Sequence, residues 1–303
     1  MSLREALAEN VFVVTGELGP PLEPDAEIVR AGARALAPFL HAANATDNQA
    51  ATVKMSAVVS SLLMREEGLE PILQLTGRDR NLLALQSELL GAWAIGVRTV
   101  LALSGDPLSV GPYAELASKV GDLDSTGLTA LITGLNDGRL CAGETLQRPT
   151  DFLIAGAANP LVDSVERLDG KLDAGVRLLQ TNIVYDVPRF ARWLEPLVAA
   201  GITERAPLLV GVTPPRSYRM LSFVHEKIPG AEVDTQTFAR MEGLDSEAAR
   251  AEGIRVAAEV IEAVRELEGV AGVHVMAPGW EVEAIPQVVR AAGVVPPETA
   301  APR

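Results

Sequence analysis

The chain is 303 residues long and 48% hydrophobic, and its formal net charge of −14 at pH 7 disfavours nucleic-acid and anionic-membrane partners, because both would repel it. Its single cysteine, Cys141, and its three scattered histidines exclude a disulfide framework and a cysteine-based metal cluster, so we expect no metal site. We expect a cytoplasmic protein without membrane insertion, since neither a signal-peptide pattern nor an uncharged apolar run of roughly 18 residues is present.

Short aliphatic runs alternate with longer helical segments along most of the chain, a pattern that predicts βα repetition and a parallel sheet. Eight parallel strands in a chain of this length favour a closed α/β fold, the (β/α)8 TIM barrel, over an open sheet. We predict a single barrel domain over residues 1–303, with a frayed tail at 295–303. The predicted strands lie near residues 12–18, 41–45, 71–76, 99–103, 151–156, 177–184, 207–212 and 271–276.

Capping residues give the bounds of several predicted helices. Asp47 or Asn48 is expected to cap a helix over 49–66, with Gly68 at its end. Asp186 precedes a helix with Pro188 in its first turn, and Asp245 begins the longest helix, which extends to about residue 268. The segment 106–151 is too long for one helix, and we predict that part of it forms a loop over the site.

Glu17 ends the first apolar run, directly before a Gly-Pro-Pro turn. Parallel α/β proteins keep their chemistry at the carboxyl ends of the strands, so this acid is expected to point into a pocket. Four further apolar runs also end in polar groups, and five such strand ends predict one shared site. These four polar segments are residues 44–48, 75–81, 103–106 and 179–182.

Four motifs resemble those of the methylenetetrahydrofolate reductase family: TGELGPP at 15–21, NATDNQ at 44–49, LEPILQLTGRDRN at 69–81 and DLDS at 122–125. The chain looks closest to the short, single-domain form of anaerobes and acetogens, and the resemblance runs from about residue 8 to residue 293. It implies a (β/α)8 barrel that uses a flavin to reduce 5,10-methylenetetrahydrofolate to 5-methyltetrahydrofolate.

The resemblance also implies site roles. In this reaction the five-membered ring opens on protonation at N10, and the resulting N5 iminium cation accepts hydride. Glu17 matches the general acid, which must hold its proton near neutral pH. Asp106 matches an acid beside the flavin that favours the cation, and Gln180 matches the amide that binds the pterin. A structural role stays open for each residue. Glu17 could cap a helix or pair with a surface arginine, Asp106 could form an Asx turn, and Gln180 could line a polar barrel mouth.

Five further positions match flavin-contacting segments: Thr46, Asp79, Ser104, Gly105 and Lys171. The implied cofactor is FAD, with FMN also open, and Lys171 resembles the lysine that binds the cofactor phosphates. Arg78 and Arg80 are candidates for a phosphate or for the glutamates of the folate tail. His274 and Trp280 are further candidates. Two departures from the family pattern are Gly77, where many relatives have Cys, and residues 157–160, which replace a Tyr-containing segment.

No cysteine cluster is present for iron–sulfur chemistry, so the electrons are expected from NAD(P)H or from a partner subunit, in a homo-oligomer or a hetero-oligomer. Two other hypotheses remain. One is a flavin-free reductase that takes hydride directly from NAD(P)H or a deazaflavin. The other is a subunit that binds folate or flavin but is inactive without its partner.

Overall fold

The computed structural model describes residues 1–228, 230–279 and 282–296. Eight parallel strands close into a barrel in which each strand pairs with the next along the chain and the last pairs with the first. The predicted TIM barrel is therefore confirmed. The strands are β1 Val13–Glu17, β2 Ala42–Ala45, β3 Pro71–Thr76, β4 Thr99–Leu103, β5 Leu153–Ala158, β6 Leu178–Ile183, β7 Leu208–Val212 and β8 Val270–Val275.

Apart from α1, which precedes β1, the helices follow the strands and cover the outside of the barrel. Asp186 and Asp245 cap α7 and α11 as predicted, because each carboxylate accepts a hydrogen bond from the first turn. The helices are α1 Leu3–Ala8, α2 Ala26–Leu36, α3 Ala57–Glu66, α4 Leu82–Ala94, α5 Ser125–Asn136, α6 Val165–Ala174, α7 Val187–Ala199, α8 Ile202–Arg205, α9 Tyr218–Lys227, α10 Thr235–Met241, α11 Ser246–Arg265 and α12 Ala284–Ala291.

The predicted helix over 49–66 is wrong in its first half. Residues 49–51 form a 3₁₀ turn, and α3 begins only at Ala57, with Ser56 as its cap. Asn48, Ala50 and Ala51 have φ angles of 45°, 52° and 50°, which a right-handed helix excludes. The carboxylate of Asp47 does not cap a helix, because it accepts hydrogen bonds from residues 76 and 80 instead.

The barrel interior has an apolar lower layer and a polar upper layer. The lower layer contains Val13, Ala42, Ile72, Leu101, Ala155, Leu178 and Leu209, and it packs against Leu3 and Ala6 of α1. Side chains two residues apart on a strand face the same side. The next interior position towards the carboxyl end of the strand is polar on β1, β2, β3, β6 and β8. We call these five residues the polar layer: Thr15, Asn44, Gln74, Gln180 and His274.

The segment from Ser104 to Asp124 contacts the loops that follow β2 and β3. The Val120 amide donates to the Arg78 carbonyl at 3.0 Å, and the Leu82 amide donates to the Asp122 carboxylate at 2.9 Å. Its predicted function as a loop over the site stays a prediction. Trp280 and residues 297–303 of the expected tail lie outside the described residues. Within the described ranges, no helix is long and apolar enough to cross a membrane.

Candidate functional site

A cavity of about 510 Å³ opens at the carboxyl end of the barrel. A volume of this size is typical of sites for small ligands. Six of the eight predicted site residues line it: Glu17, Ser104, Gly105, Asp106, Lys171 and Gln180. The other two do not line it: Thr46 is buried, and Asp79 is engaged by Arg78.

Glu17 lies at the end of β1 and faces this cavity. Its carboxyl group makes no hydrogen bond or ion pair with any residue that the structure describes. Burial raises the pKa of Glu17 from 4.5 to about 7, since the charged form loses solvation. The cavity therefore contains a carboxylic acid that can hold and release a proton near neutral pH.

The floor of the cavity is a hydrogen-bonded cluster of the polar layer. Asn44 Nδ2 donates to Gln180 Oε1 at 2.9 Å and lies 3.4 Å from His274 Nε2. His274 Nδ1 lies 3.0 Å from Thr15 Oγ1. Asn44, His274 and Gln180 also line the cavity, and all four side chains are at most 5% exposed. This cluster gives the site a rigid base made of neutral polar groups.

Sequence reasoning missed Thr15 and Asn44 as individual site residues, and it also missed Gln74. Gln74 lines the cavity from β3, and its amide has no hydrogen-bond partner among the described residues. The signal was present in the sequence, because a polar residue at every second position of an apolar strand indicates an interior polar face.

Asp106 lies at the cavity mouth, and its carboxylate connects two loops. Asp106 Oδ2 accepts a hydrogen bond from the Ala50 amide at 2.7 Å. The guanidinium of Arg78 donates to the carbonyls of Asp106 and Asn48 at 3.0 and 3.2 Å. Asp106 thus stabilises the strained turn after β2 and also lines the cavity wall.

Arg78 and Arg80, the predicted phosphate or glutamate contacts, are both engaged in ion pairs. Arg78 binds Asp79 through two hydrogen bonds of 2.6 Å, which lower the pKa of that carboxyl group. Arg80 binds Asp47 at 2.7 Å and Glu88 at 3.1 Å. The ion pair between Arg80 and Asp47 holds the ends of β2 and β3 together, and neither arginine lines the cavity.

Gly77 lies where the carbonyl of Leu123 passes close to the end of β3. A Cβ atom at residue 77 would lie 2.0 Å from that oxygen, which is too close for any side chain. A cysteine at this position would require a different course of the 122–124 loop. The absence of a side chain therefore brings the start of α5 against the site.

The side of the cavity at β5 and α6 is rich in cations. Lys171 Nζ and Arg167 Nε both bind the carboxylate of Asp163, each at 2.9 Å, so this cluster has an excess of one positive charge. Ser125 and Thr126, at the amino end of α5, line the same cavity. The unbalanced cation and the amino end of α5 line the same cavity, and each of them favours an anionic group such as phosphate.

The adjacent wall of the cavity has short side chains, from Ala102, Gly156, Ala157 and Ala158. These short side chains leave space beside the cation cluster, and a ring system that carries a phosphate would suit that combination. In the described part of the chain, no group of three or more His, Cys, Asp or Glu residues is arranged to hold a metal ion.

The chain is similar to known proteins in sequence and in fold. Methylenetetrahydrofolate reductase 1 of Schizosaccharomyces pombe is 26% identical over 196 residues, which cover 63% of this chain and 30% of the yeast protein. The chain therefore spans less than a third of that relative's length.

Two solved structures share the fold. One is an uncharacterized Clostridium thermocellum protein described as binding two copies of 5-methyl-5,6,7,8-tetrahydrofolic acid. It has a TM-score of 0.68 and 13% identity, over 96% of this chain and 97% of that one. The second is the EDTA monooxygenase of Chelativorans sp. BNC1, with a TM-score of 0.57 and 10% identity, over 94% and 95%. Because residues 2–293 match the family described as methylenetetrahydrofolate reductase, the chain belongs to that family.

Proposed function

We propose that the protein is a flavin-dependent methylenetetrahydrofolate reductase that converts 5,10-methylenetetrahydrofolate to 5-methyltetrahydrofolate, with Glu17 as the proton donor to N10. The observation that carries the proposal is the carboxyl group of Glu17. It lines the cavity without a partner among the described residues, and burial raises its pKa to about 7. A reaction that begins with protonation of an amine needs an acid of this kind.

The proton transfer opens the ring of the substrate. Glu17 gives its proton to N10, the bond between N10 and the methylene carbon breaks, and a cation forms at N5. Loss of the proton leaves Glu17 as a carboxylate, whose charge favours the cation that has just formed. One residue therefore acts both as the acid and as part of the stabilising electrostatics.

Asp106 and Gln180 have complementary roles in this proposal. The Asp106 carboxylate adds negative charge at the cavity mouth, where it favours the iminium cation. One of its oxygens binds the Ala50 amide, and the other has no hydrogen-bond partner among the described residues. Gln180 offers an amide donor and acceptor to the pterin, and its contacts to Asn44 hold it in place.

The proposed cofactor is FAD, with FMN sharing the same ring and phosphate chemistry. When bound, the reduced flavin supplies the hydride that the cation accepts. Lys171 and Arg167 would hold phosphate, and the wall at Ala102 and Gly156–Ala158 would face the ring, with Ser104 and Gly105 beside it. Electrons come from NAD(P)H or from a separate donor subunit.

The test is a half-reaction under anaerobic conditions. The purified chain is loaded with FAD, reduced with dithionite and mixed with methylenetetrahydrofolate, and the flavin absorbance is followed. We expect the oxidised flavin spectrum to return with the wild type and to stay absent with Glu17→Gln, which still binds the flavin. Glu70→Gln is the matched control. Burial also raises the pKa of Glu70, but that residue lies at the other end of the barrel.

Two results would contradict the proposal. If Glu17→Gln reoxidises the flavin at the wild-type rate, Glu17 is not the proton donor. If the chain binds neither FAD nor FMN yet reduces the folate with NAD(P)H, the reaction is flavin-free. Folate or flavin binding without turnover would instead indicate a subunit that needs its partner.

A further inference from the structure

The polar layer contains a continuous chain of hydrogen bonds that ends at the amide of Gln180. We propose that Thr15, His274 and Asn44 are positioning residues that fix which amide atom of Gln180 is offered as donor and which as acceptor to the folate. We call these three residues the relay. This inference rests on the proposed function, because it gives the relay a role in the recognition of the pterin.

The relay starts at the Thr15 hydroxyl group. Thr15 Oγ1 donates to the Val273 carbonyl oxygen at 3.2 Å, so the same oxygen can only accept from His274 Nδ1, 3.0 Å away. The imidazole of His274 is neutral, because burial lowers its pKa to about 4. The single ring proton therefore lies on Nδ1, and Nε2 is an acceptor.

Asn44 transmits this assignment to Gln180. With Nε2 unprotonated, the group 3.4 Å from it must be the Asn44 amino group. Its second hydrogen is then directed to Gln180 Oε1 at 2.9 Å, and Asn44 Oδ1 accepts from Gln180 Nε2 at 3.4 Å. In this arrangement every donor of His274, Asn44 and Gln180 within the chain of hydrogen bonds faces an acceptor.

The opposite arrangement satisfies one hydrogen bond fewer. A proton on His274 Nε2 would make the Thr15 hydroxyl donate to Nδ1, and the Val273 carbonyl would lose its bond from Thr15. Both amides would then have to rotate by half a turn, which exchanges the donor and acceptor of Gln180. Thr15 therefore determines, through the two intervening side chains of His274 and Asn44, which amide atom of Gln180 is the donor and which is the acceptor.

The orientation of the Gln180 amide matters for the substrate, because Gln180 already uses one N–H hydrogen and one carbonyl lone pair in its hydrogen bonds to Asn44. One N–H hydrogen and one carbonyl lone pair remain for the ligand. If the Gln180 amide is reversed, its N–H group faces a donor of the pterin and its carbonyl oxygen faces an acceptor of the pterin. Each mismatched group in a buried site lowers affinity by about tenfold to a hundredfold.

Two matched pairs of variants test the relay. Thr15→Val removes the hydroxyl group and keeps the shape, whereas Thr15→Ser keeps the hydroxyl. His274→Leu removes both hydrogen bonds, whereas His274→Gln can still donate at one end and accept at the other. We expect Thr15→Val and His274→Leu to raise the KM for methylenetetrahydrofolate by about tenfold to a hundredfold. We expect Thr15→Ser and His274→Gln to stay within about threefold, with the KM for NAD(P)H unchanged in all four variants.

A double-mutant cycle with Gln180→Ala separates positioning from direct contact. If the relay acts through Gln180, His274→Leu has no further effect on folate affinity in the Gln180→Ala background. Titration calorimetry with 5-methyltetrahydrofolate gives these affinities without any need for turnover. An equal loss of affinity in both backgrounds would overturn the positioning role.

Nitrogen-15 NMR of the histidines gives a second test, and its wild-type measurement requires neither a variant nor enzyme activity. We expect a neutral His274 with its proton on Nδ1, and a change of tautomer in Thr15→Val. A wild-type proton on Nε2 would overturn the relay. Absence of folate turnover or binding would refute the proposed function instead, and the NMR result would still decide the direction of the hydrogen bonds.

Discussion

The pKa of Glu17 gives a prediction with a defined magnitude. Burial raises this pKa from 4.5 to about 7, which corresponds to about 3 kcal/mol of free energy against ionisation in the cavity. The side chain therefore stays protonated over most of the acidic range and loses its proton near neutral pH. Both the activity and the stability of the protein should reflect this ionisation.

For activity, we expect kcat/KM for methylenetetrahydrofolate to be constant below pH 7 and to fall tenfold for each further pH unit. Glu17→Gln should lower the rate by about 10²-fold to 10⁴-fold and remove this decline. The assay is steady-state folate reduction between pH 5.5 and 9, with Glu70→Gln as the control that keeps the wild-type profile. A variant Glu17→Gln with the same pH dependence as the wild type would refute the assignment.

For stability, the sign follows from the direction of the shift. Because the folded state binds this proton more tightly than the unfolded chain, ionisation destabilises the fold as pH rises above 4.5, and the effect levels off above about 7. The free energy of unfolding of Glu17→Gln, relative to the wild type, should therefore increase by up to about 3 kcal/mol between pH 4 and pH 8. Chemical denaturation at several pH values measures it, and a constant difference would mean that Glu17 is not buried as described.

Three further predictions concern other parts of the molecule. Asp106→Asn should keep the acceptor for the Ala50 amide, and so the loop, but slow the folate half-reaction at least about tenfold, as seen by stopped-flow absorbance. Lys171→Met should weaken FAD binding about tenfold but leave riboflavin binding unchanged in a fluorescence titration, because riboflavin lacks phosphate. Gly91 lies on the exposed side of α4, where an added Cβ atom would meet no other atom within 4 Å. Gly91→Ala should therefore raise the free energy of unfolding by about 1 kcal/mol in denaturant titrations.

The strand pattern and several caps could be predicted from the sequence because they depend on local composition. Apolar runs bounded by turns gave all eight strands to within a few residues, and Asp186 and Asp245 cap the helices that follow them. The clustering of Glu17, Asp106 and Gln180 followed from strand direction alone, since parallel strands bring their carboxyl ends to one edge.

Other features depend on partners far away in the chain. Asp47 looked like a helix cap, but Arg80 and Thr76 from the next strand compete for its carboxylate. Lys171 was predicted to bind phosphate, and the structure adds that it shares Asp163 with Arg167. The tautomer of His274 depends on a carbonyl and a hydroxyl group whose arrangement only the closed barrel defines.

The distribution of charge in the cavity suggests why neutral and charged side chains are combined there. Burial shifts Glu17 and His274 towards their neutral forms, so the deep part of the site contains uncharged donors and acceptors. The charged groups Asp106 and Lys171 line the same cavity at its mouth and at its β5 side. The other carboxylates that line this cavity are ion-paired, Asp47 with Arg80 and Asp163 with Lys171 and Arg167. In the proposed reaction, a cation at N5 would therefore be balanced by Asp106 and the newly ionised Glu17. In the proposed reaction, the proton transfer from Glu17 would therefore create the negative charge that the cation needs, and it would couple ring opening to hydride acceptance in one place.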